Sequence, residues 1–176
     1  MTESGVAVPA EELLIYKGDE FINFLNHTYQ WVSIKLFEFP PNADDAEVLA
    51  LLTRHARYRD SYAAPEFQDA KTIHGPYWLN AISPELFSPV SAADSEALIR
   101  TWAEYAAPLS AGRRSEMEHE LYRRIREATS RYLLPDLRDT AEHDWGSTVG
   151  SMTGFFEFVL INRRARNVAL VVASDD

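Results

Sequence analysis

The 176-residue chain is 46% hydrophobic and 25% charged, which is typical of one folded domain and argues against extended disorder. The absence of cysteine excludes a disulfide framework, a thiolate nucleophile and a cysteine-bound metal. The net charge is −10, with nine acidic and two basic residues in positions 1–50, which disfavours nucleic acid and anionic membranes as partners and favours a basic protein.

The N-terminal third supports two interpretations. Residues 1–9 are small and polar and are expected to be disordered. Within residues 19–39, apolar residues recur every three or four positions, as on one face of a helix. Towards the end of the segment, however, apolar and polar residues also alternate, as they do in a strand. We favour a helix over 19–30 followed by a strand over 31–39. A single helix over 19–39 is the alternative.

Three helices are predicted in the middle of the chain. The first spans 44–59 and begins with a capping-box-like pair, Asp44 and Glu47. The second spans 94–107, and the longest spans 113–134 with an apolar stripe at helical spacing. About 35 residues with four prolines separate the first two helices. We expect this aromatic segment to pack over the core, with a short strand or helical turn near 77–82.

The C-terminal segment carries the strongest hairpin signal in the chain. Two apolar runs, 155–161 and 168–173, flank the polar sequence NRRARN. Both runs are nearly continuous, so at least one strand is expected to be covered by helices on both faces. The predicted fold is therefore a single α+β domain over 1–176, with three to four helices on a small antiparallel sheet that includes a C-terminal β-hairpin.

The stretch EHDWGSTVGSMTGFFEF, residues 142–158, comes closest to a chemical motif. Its glycines lack the lysine of a phosphate-binding loop, and a strand follows where such a loop needs a helix. The doublet His143-Asp144 resembles that of HD-type metal phosphohydrolases, with His74 as a possible further ligand. That family is all-helical after the doublet, whereas a hairpin follows here. We interpret the stretch as a connector from a helix to the hairpin.

Two other groups of residues are candidates for ligand or partner binding. His74, Tyr77, Trp78 and Asn80 lie close together in the long connection and combine stacking with hydrogen bonding. At the hairpin tip, three guanidinium groups could hold phosphate or carboxylate, namely those of Arg163, Arg164 and Arg166. For each group the alternative is a purely structural or solvated role.

Two functional hypotheses follow. The first is a non-enzymatic interaction or regulatory protein, such as an adaptor, regulatory subunit, or immunity- or antitoxin-like neutraliser, that uses an acidic surface and an aromatic loop. The second is a small metal-dependent hydrolase or ligand-binding enzyme centred on His143, Asp144 and His74. We favour the first. Fourteen of seventeen basic residues are arginine, which suggests a bacterial source. With no apolar run long enough for a membrane span, we expect a cytoplasmic protein without cofactor, nucleic-acid or membrane partners.

Overall fold

Six strands form one antiparallel sheet in the computed structural model, which describes residues 5–62 and 72–176. Two further short strands pair with each other as a separate ribbon. In chain order the strands are β1 (Ile15–Asn23), β2 (Gln30–Glu38), β3 (Ile73–His74), β4 (Tyr77–Trp78), β5 (Ser88–Pro89), β6 (Ser130–Leu134), β7 (Phe156–Asn162) and β8 (Asn167–Asp175). The order across the large sheet is β1-β2-β8-β7-β6-β5, so the C-terminal hairpin lies at its centre.

The helices lie on the two faces of this sheet, and serine or aspartate side chains cap the longer ones. Asp44, Ser91 and Ser110 each accept a hydrogen bond from a backbone N–H in the first turn of the helix that follows. The α-helical segments are α1 (Ala10–Leu13), α2 (Asp45–Arg54), α3 (Ala92–Ala103), α4 (Ala111–Met117), α5 (Arg123–Glu127) and α6 (Arg138–Ala141). No helix within the described ranges has the length and apolar character to cross a bilayer.

The central strands β2, β8 and β7 are buried on both faces, which explains their nearly continuous apolar sequences. On what we call the first face, β-strand residues such as Phe37, Leu170 and Val159 pack against α1, α2 and the segment around Tyr58 and Tyr77. On the second face, residues such as Ile34, Val171 and Phe158 pack against α3 and the α4–α5 helix.

A π-helical stretch, Glu118–Tyr122, joins α4 to α5. The wider turn carries one extra residue, so the successive side chains of Leu121 and Tyr122 both point into the core. The helix that covers the second face therefore changes from α to π geometry and back to α.

The predicted fold class is confirmed: the chain is a single α+β domain whose antiparallel sheet includes the C-terminal β-hairpin. The strand predicted over 31–39 is confirmed as β2, and the expected short elements near 77–82 are β4 and a 3₁₀ turn, Leu79–Ala81. The prediction of disorder over 1–9 includes residues 1–4, which lie outside the described residues.

The helix predicted over 19–30 is wrong, as is the alternative of one helix over 19–39. Residues up to Asn23 belong to β1, which pairs with β2 from Ile15 to Asn23 except at a bulge after Tyr16. The backbone of Leu25, His27 and Tyr29 has positive φ, so no helix can run through this turn. Pairing with a distant strand edge therefore overrides the local helical spacing.

The three predicted middle helices exist, but their bounds differ. The first ends at Arg54 because the backbone becomes extended at His55, and a short 3₁₀ turn follows. The second runs Ala92–Ala103 and is capped by Ser91, not Asp94. The third ends at Glu127, and the last five residues of the predicted helix form β6, which pairs with β7. Local propensity alone would continue the helix to residue 134, but pairing with β7 makes the last five residues a strand.

Alanine substitution of two glycines tests the described backbone conformation. Gly150 has φ +67°, and a Cβ there would lie 2.6 Å from the carbonyl oxygen of Gly154, whereas a Cβ on Gly112, in α4, would meet no atom within 4 Å. We expect Gly150→Ala to destabilise the fold by roughly 2 kcal/mol or more. Gly112→Ala should stabilise it by up to about 1 kcal/mol. Urea unfolding of both variants measures this, and shifts of the same sign would contradict the described backbone.

Candidate functional site

The four residues of the predicted aromatic-loop site point in different directions. His74 and Tyr77 are cross-strand partners in the β3–β4 ribbon, and both are buried on its inner side. Tyr77 accepts a hydrogen bond from the Leu137 N–H at 3.3 Å, and burial raises its pKa to about 12. Trp78 and Asn80 point outward. The ribbon therefore anchors residues 73–78 to the core, and the four side chains do not share one ligand surface.

His74 is part of a fully buried polar network with Glu157 of β7. The His74 Nε2 and Glu157 Oε2 atoms are 2.6 Å apart, and neither side chain has exposed surface. The Tyr58 hydroxyl donates to the other Glu157 oxygen at 2.8 Å. The His74 Nδ1 atom lies 2.5 Å from the Tyr58 carbonyl oxygen and so must donate to it. All charged or polar atoms of the pair are thus satisfied inside an apolar layer.

This network holds the segment around Tyr58 and Asp60 in place. The Tyr58 and His74 rings stack with centroids 3.8 Å apart, and burial, together with the Glu157 charge, raises the pKa of Tyr58 well above its usual range. The Gly75 N–H donates to the Asp60 carbonyl oxygen at 2.7 Å, which joins the ribbon to the chain around residue 60. Neither charged side chain of the network is exposed, and its contacts hold these segments together.

The His143-Asp144 doublet is also structural in its geometry. The Nδ1 atom of His143 accepts from the Trp145 N–H at 3.0 Å, and its Nε2 atom donates to the Gly75 carbonyl oxygen at 2.8 Å. Both ring nitrogens are therefore used by the backbone, while Asp144 is exposed. Among residues 5–62 and 72–176, no three His, Asp or Glu side chains are placed to hold a metal ion.

The glycine-rich loop that follows donates hydrogen bonds to a carboxylate of the same chain, that of Asp175. The Asp175 carboxylate accepts from the Met152 N–H at 3.3 Å, from the Thr153 N–H at 2.8 Å and from the Thr153 hydroxyl. The Gly150 N–H donates to the Asp175 carbonyl oxygen at 2.7 Å. These bonds fasten the connector to the end of β8. No sequence pattern pointed to them, since the partners lie more than twenty residues apart.

The three arginines of the hairpin tip do not converge. Arg163 donates to the Ala43 carbonyl oxygen at 2.8 Å and to the Asp45 carboxylate. Arg166 contacts Glu38 at 3.3 Å. Arg164 is exposed and pairs with no acidic side chain of the described residues.

Sequence reasoning missed a cleft that lies on the first face, at the β1 edge of the sheet. It has a volume of about 270 Å³. The segment 60–62, held by the buried network, forms its wall, and alternate residues of β1 and β2 form its floor. We call it the acidic cleft; it is lined by Asp19, Phe21, Trp31, Ser33, Lys35, Asp60, Tyr62 and Asp176.

Three aromatic rings form a continuous stack along the acidic cleft. The Trp31 ring is stacked on Phe21 on one side and on Tyr62 on the other, with centroids 5.6 and 5.7 Å apart. Burial raises the pKa of Tyr62 well above its usual range, and the charges of Asp60 and Glu157 add to the rise, so its hydroxyl stays neutral. Trp31 is only 4% exposed, whereas Phe21 is 58% exposed, so Phe21 is the ring through which the stack meets water.

The charges of the acidic cleft are unbalanced. Lys35 donates to Asp60 at 2.7 Å and to the Arg57 carbonyl oxygen at 2.9 Å, so its ammonium is already paired. The Trp31 indole N–H donates to Asp176 at 2.9 Å. Asp19 lies opposite Lys35 in the β1–β2 register and is hydrogen-bonded to the Tyr16 side chain. Among the described lining residues, neither Asp19 nor Asp176 forms an ion pair. The cleft therefore has an excess of negative charge beside aromatic rings.

A second cavity of about 330 Å³ continues from the acidic cleft to the β1–β2 turn. It shares Phe21, Trp31 and Asp176 with the cleft. Its outer part exposes large apolar side chains, with Leu25 71% exposed, Tyr29 67% and Phe21 58%. Exposed apolar groups beside an acidic cleft are typical of a surface that binds another molecule.

A double-mutant cycle tests the buried network. Glu157→Met and His74→Leu each leave a buried polar group without its partner, and each is expected to cost about 3–5 kcal/mol. The double variant should cost less than the sum, because no unpaired charge remains. Urea unfolding measures all three, with exposed Glu85→Gln as a control that should shift stability by less than about 0.5 kcal/mol. Additive single costs would show that the two groups do not interact.

Relatives do not assign a role to these features. Comparison with protein-family models, with curated proteins and with solved structures gave no significant match. A function for this chain must therefore be inferred from the side chains themselves, and among the described residues the acidic cleft combines charge, exposed aromatic surface and depth.

Proposed function

We propose that this chain is a non-enzymatic interaction or regulatory protein of the bacterial cytoplasm that binds a basic segment of a partner protein in the acidic cleft. The observation that carries the proposal is the placement of Asp19 and Asp176 beside the Phe21–Trp31–Tyr62 stack. Their charge favours a cation, and the rings favour one that can stack.

Arginine side chains match this surface well. A guanidinium group can form bidentate hydrogen bonds with a carboxylate while its plane stacks on an aromatic ring. The protein already uses this contact elsewhere: the Arg57 guanidinium lies 4.3 Å from the Tyr16 ring centroid, and that of Arg100 lies 3.9 Å from the Tyr122 ring centroid. The acidic cleft supplies the same two components, rings and carboxylates. The Lys35 ammonium already lies 4.8 Å from the Tyr62 ring centroid, so the exposed Phe21 ring is the one that a partner's arginine would contact.

The edge strand β1 offers a second kind of contact to a basic partner, through its backbone. Within the described residues β1 pairs with β2 alone, so its outer backbone edge is free for an extended segment to add as a further strand. The centre of β1 carries Asp19 and Glu20. Antiparallel pairing of two copies about this centre would oppose like charges, which destabilises strand pairs. The edge therefore disfavours self-association and favours a basic segment.

The second hypothesis, a metal-dependent hydrolase centred on His143, Asp144 and His74, has no supporting geometry in the part of the chain that the structure describes. Both ring nitrogens of each histidine are engaged in hydrogen bonds. We therefore do not propose it.

Binding of a basic peptide tests the proposal. The probe is a fluorescein-labelled heptapeptide of alternating arginine and threonine, which is extended and carries its charges on one side. We expect the double variant Asp19→Asn/Asp176→Asn to bind it roughly tenfold more weakly than the natural sequence, because two partly exposed charge contacts are lost. Fluorescence anisotropy at constant salt concentration measures this affinity.

A charge-matched control separates the cleft from the overall acidity of the protein. Glu12→Gln/Asp139→Asn removes the same two charges from exposed positions outside the cleft lining. This variant should bind the peptide nearly as tightly as the natural sequence. Equal weakening in both double variants, or no binding of the peptide by the natural sequence, would refute the assignment of the cleft.

A further inference from the structure

A pocket of about 260 Å³ brings three cationic side chains together in this otherwise acidic protein. It lies where the ends of β1 and β2 meet the hairpin turn before β8, next to α5. We propose that this pocket binds a phosphate group, and we call it the cationic pocket. It is lined by Lys17, Leu36, Phe37, Glu38, Arg124, Ala165, Arg166 and Asn167.

A β-bulge places Lys17 in the pocket. Tyr16 pairs with Phe37 and Gly18 pairs with Leu36, so Lys17 is an extra residue that opposes no partner. Gly18 has φ +134°, a conformation that the bulge requires and that side chains other than glycine rarely adopt. Bulges redirect side chains, and this one brings an ammonium group to the lining of the pocket.

The cationic groups of this pocket have N–H donors that are not fully used in hydrogen bonds. Glu38 lies 3.7 Å from the Lys17 ammonium and 3.3 Å from the Arg166 guanidinium, both longer than a strong charged hydrogen bond. Arg124 is 3.6 Å from Glu120, and its Nε atom is buried without a hydrogen-bond partner among the described residues. By contrast, Arg131 and Arg163 donate to carbonyl oxygens at 2.6 to 2.8 Å. Loosely held cations remain available to a stronger acceptor.

The backbone at Arg166 supports a role for this side chain. Its φ is +53°, which costs an arginine about 1 kcal/mol and suits glycine or asparagine better. The Arg166 carbonyl oxygen accepts from the Phe39 N–H at 3.2 Å, so the turn is fixed against the end of β2. The guanidinium is thereby presented at the pocket mouth despite the unfavourable conformation.

Charge and shape indicate a phosphate group in preference to a carboxylate. Three cations face two carboxylates, Glu38 and Glu120, so the cluster keeps a positive balance. A phosphate monoester carries nearly two negative charges and three acceptor oxygens, enough to engage all three cationic groups at once. Leu36 and Ala165 add apolar lining beside them. Glu38 is half-buried and loosely paired, so it acts as an internal competitor that the ligand displaces.

The site is independent of the acidic cleft, since the two share no lining residue and favour ligands of opposite charge. Failure of one assignment therefore leaves the other standing.

Phosphate titrations test the proposal. The probes are inorganic phosphate and phenyl phosphate, added at constant ionic strength and followed by isothermal titration calorimetry. We expect saturable binding by the natural sequence. Lys17→Gln and Arg166→Gln, both at exposed positions, should each weaken binding about fivefold. Glu38→Gln should tighten it by a similar factor, because the competing carboxylate is removed.

Two further variants control for charge and folding. Arg164→Gln removes the same charge from the same turn but from a side chain outside the pocket lining, and it should leave binding unchanged. Arg166→Gly relieves the backbone strain, so it should keep or raise the unfolding midpoint while weakening phosphate binding. Tighter binding of phenyl phosphate than of inorganic phosphate would identify a phosphate monoester as the ligand, and equal binding would identify the free ion. Absence of saturable binding, or equal weakening by Arg164→Gln, would overturn the site.

Discussion

The burial of β2, β8 and β7 on both faces is the constraint on which the other features of this fold depend. Strands that expose neither face need two covering layers, and here the α4–α5 helix with α3 supplies one, while α1, α2 and the aromatic segments supply the other. The helical layer is continuous and apolar. The first face is covered largely by short turns and a ribbon, whose backbone polar groups must find partners in the core.

The buried pair of Glu157 and His74 follows from that requirement. Glu157 sits on β7 in the middle of the first face, where an unpaired carboxylate would be very costly. His74 and Tyr58 satisfy it, and in doing so they fix the segment that carries Asp60 and Tyr62. The hydrogen bonds that satisfy the buried Glu157 carboxylate thus also position the wall of the acidic cleft. The buried network and the proposed binding surface are in this way connected through a few residues.

The two proposed sites lie at different parts of the β1–β2 hairpin and differ in charge. The acidic cleft uses the half of β1 that approaches the turn, and the cationic pocket uses the bulge near the start of β1. Both depend on β1 being an edge strand with accessible side chains. A basic partner and a phosphate-bearing ligand could therefore be bound at the same time, without competing for the same residues.

The sequence alone determined the features that depend on neighbours along the chain. The C-terminal hairpin, the strand at β2, the cap at Asp44 and the absence of cysteine chemistry are all local, and periodicity or composition suffices to predict them. The helical spacing in 19–30 and in 113–134 misled because β1 and β6 form by pairing with strands that are distant in sequence, which no local pattern records.

Only the tertiary structure decided the sites. Asp19, Asp60 and Asp176 are separated by more than forty residues from one another, and their meeting at one cleft depends on the β1–β2–β8 order and on the buried His74–Glu157 contact. Likewise, His74, His143 and the arginines of the hairpin tip looked like ligands because of their chemistry, yet most were committed to backbone or carboxylate partners once the chain folded. The physical reason is the same in each case: side chains act through the groups that surround them, and in a folded chain those groups come from remote positions.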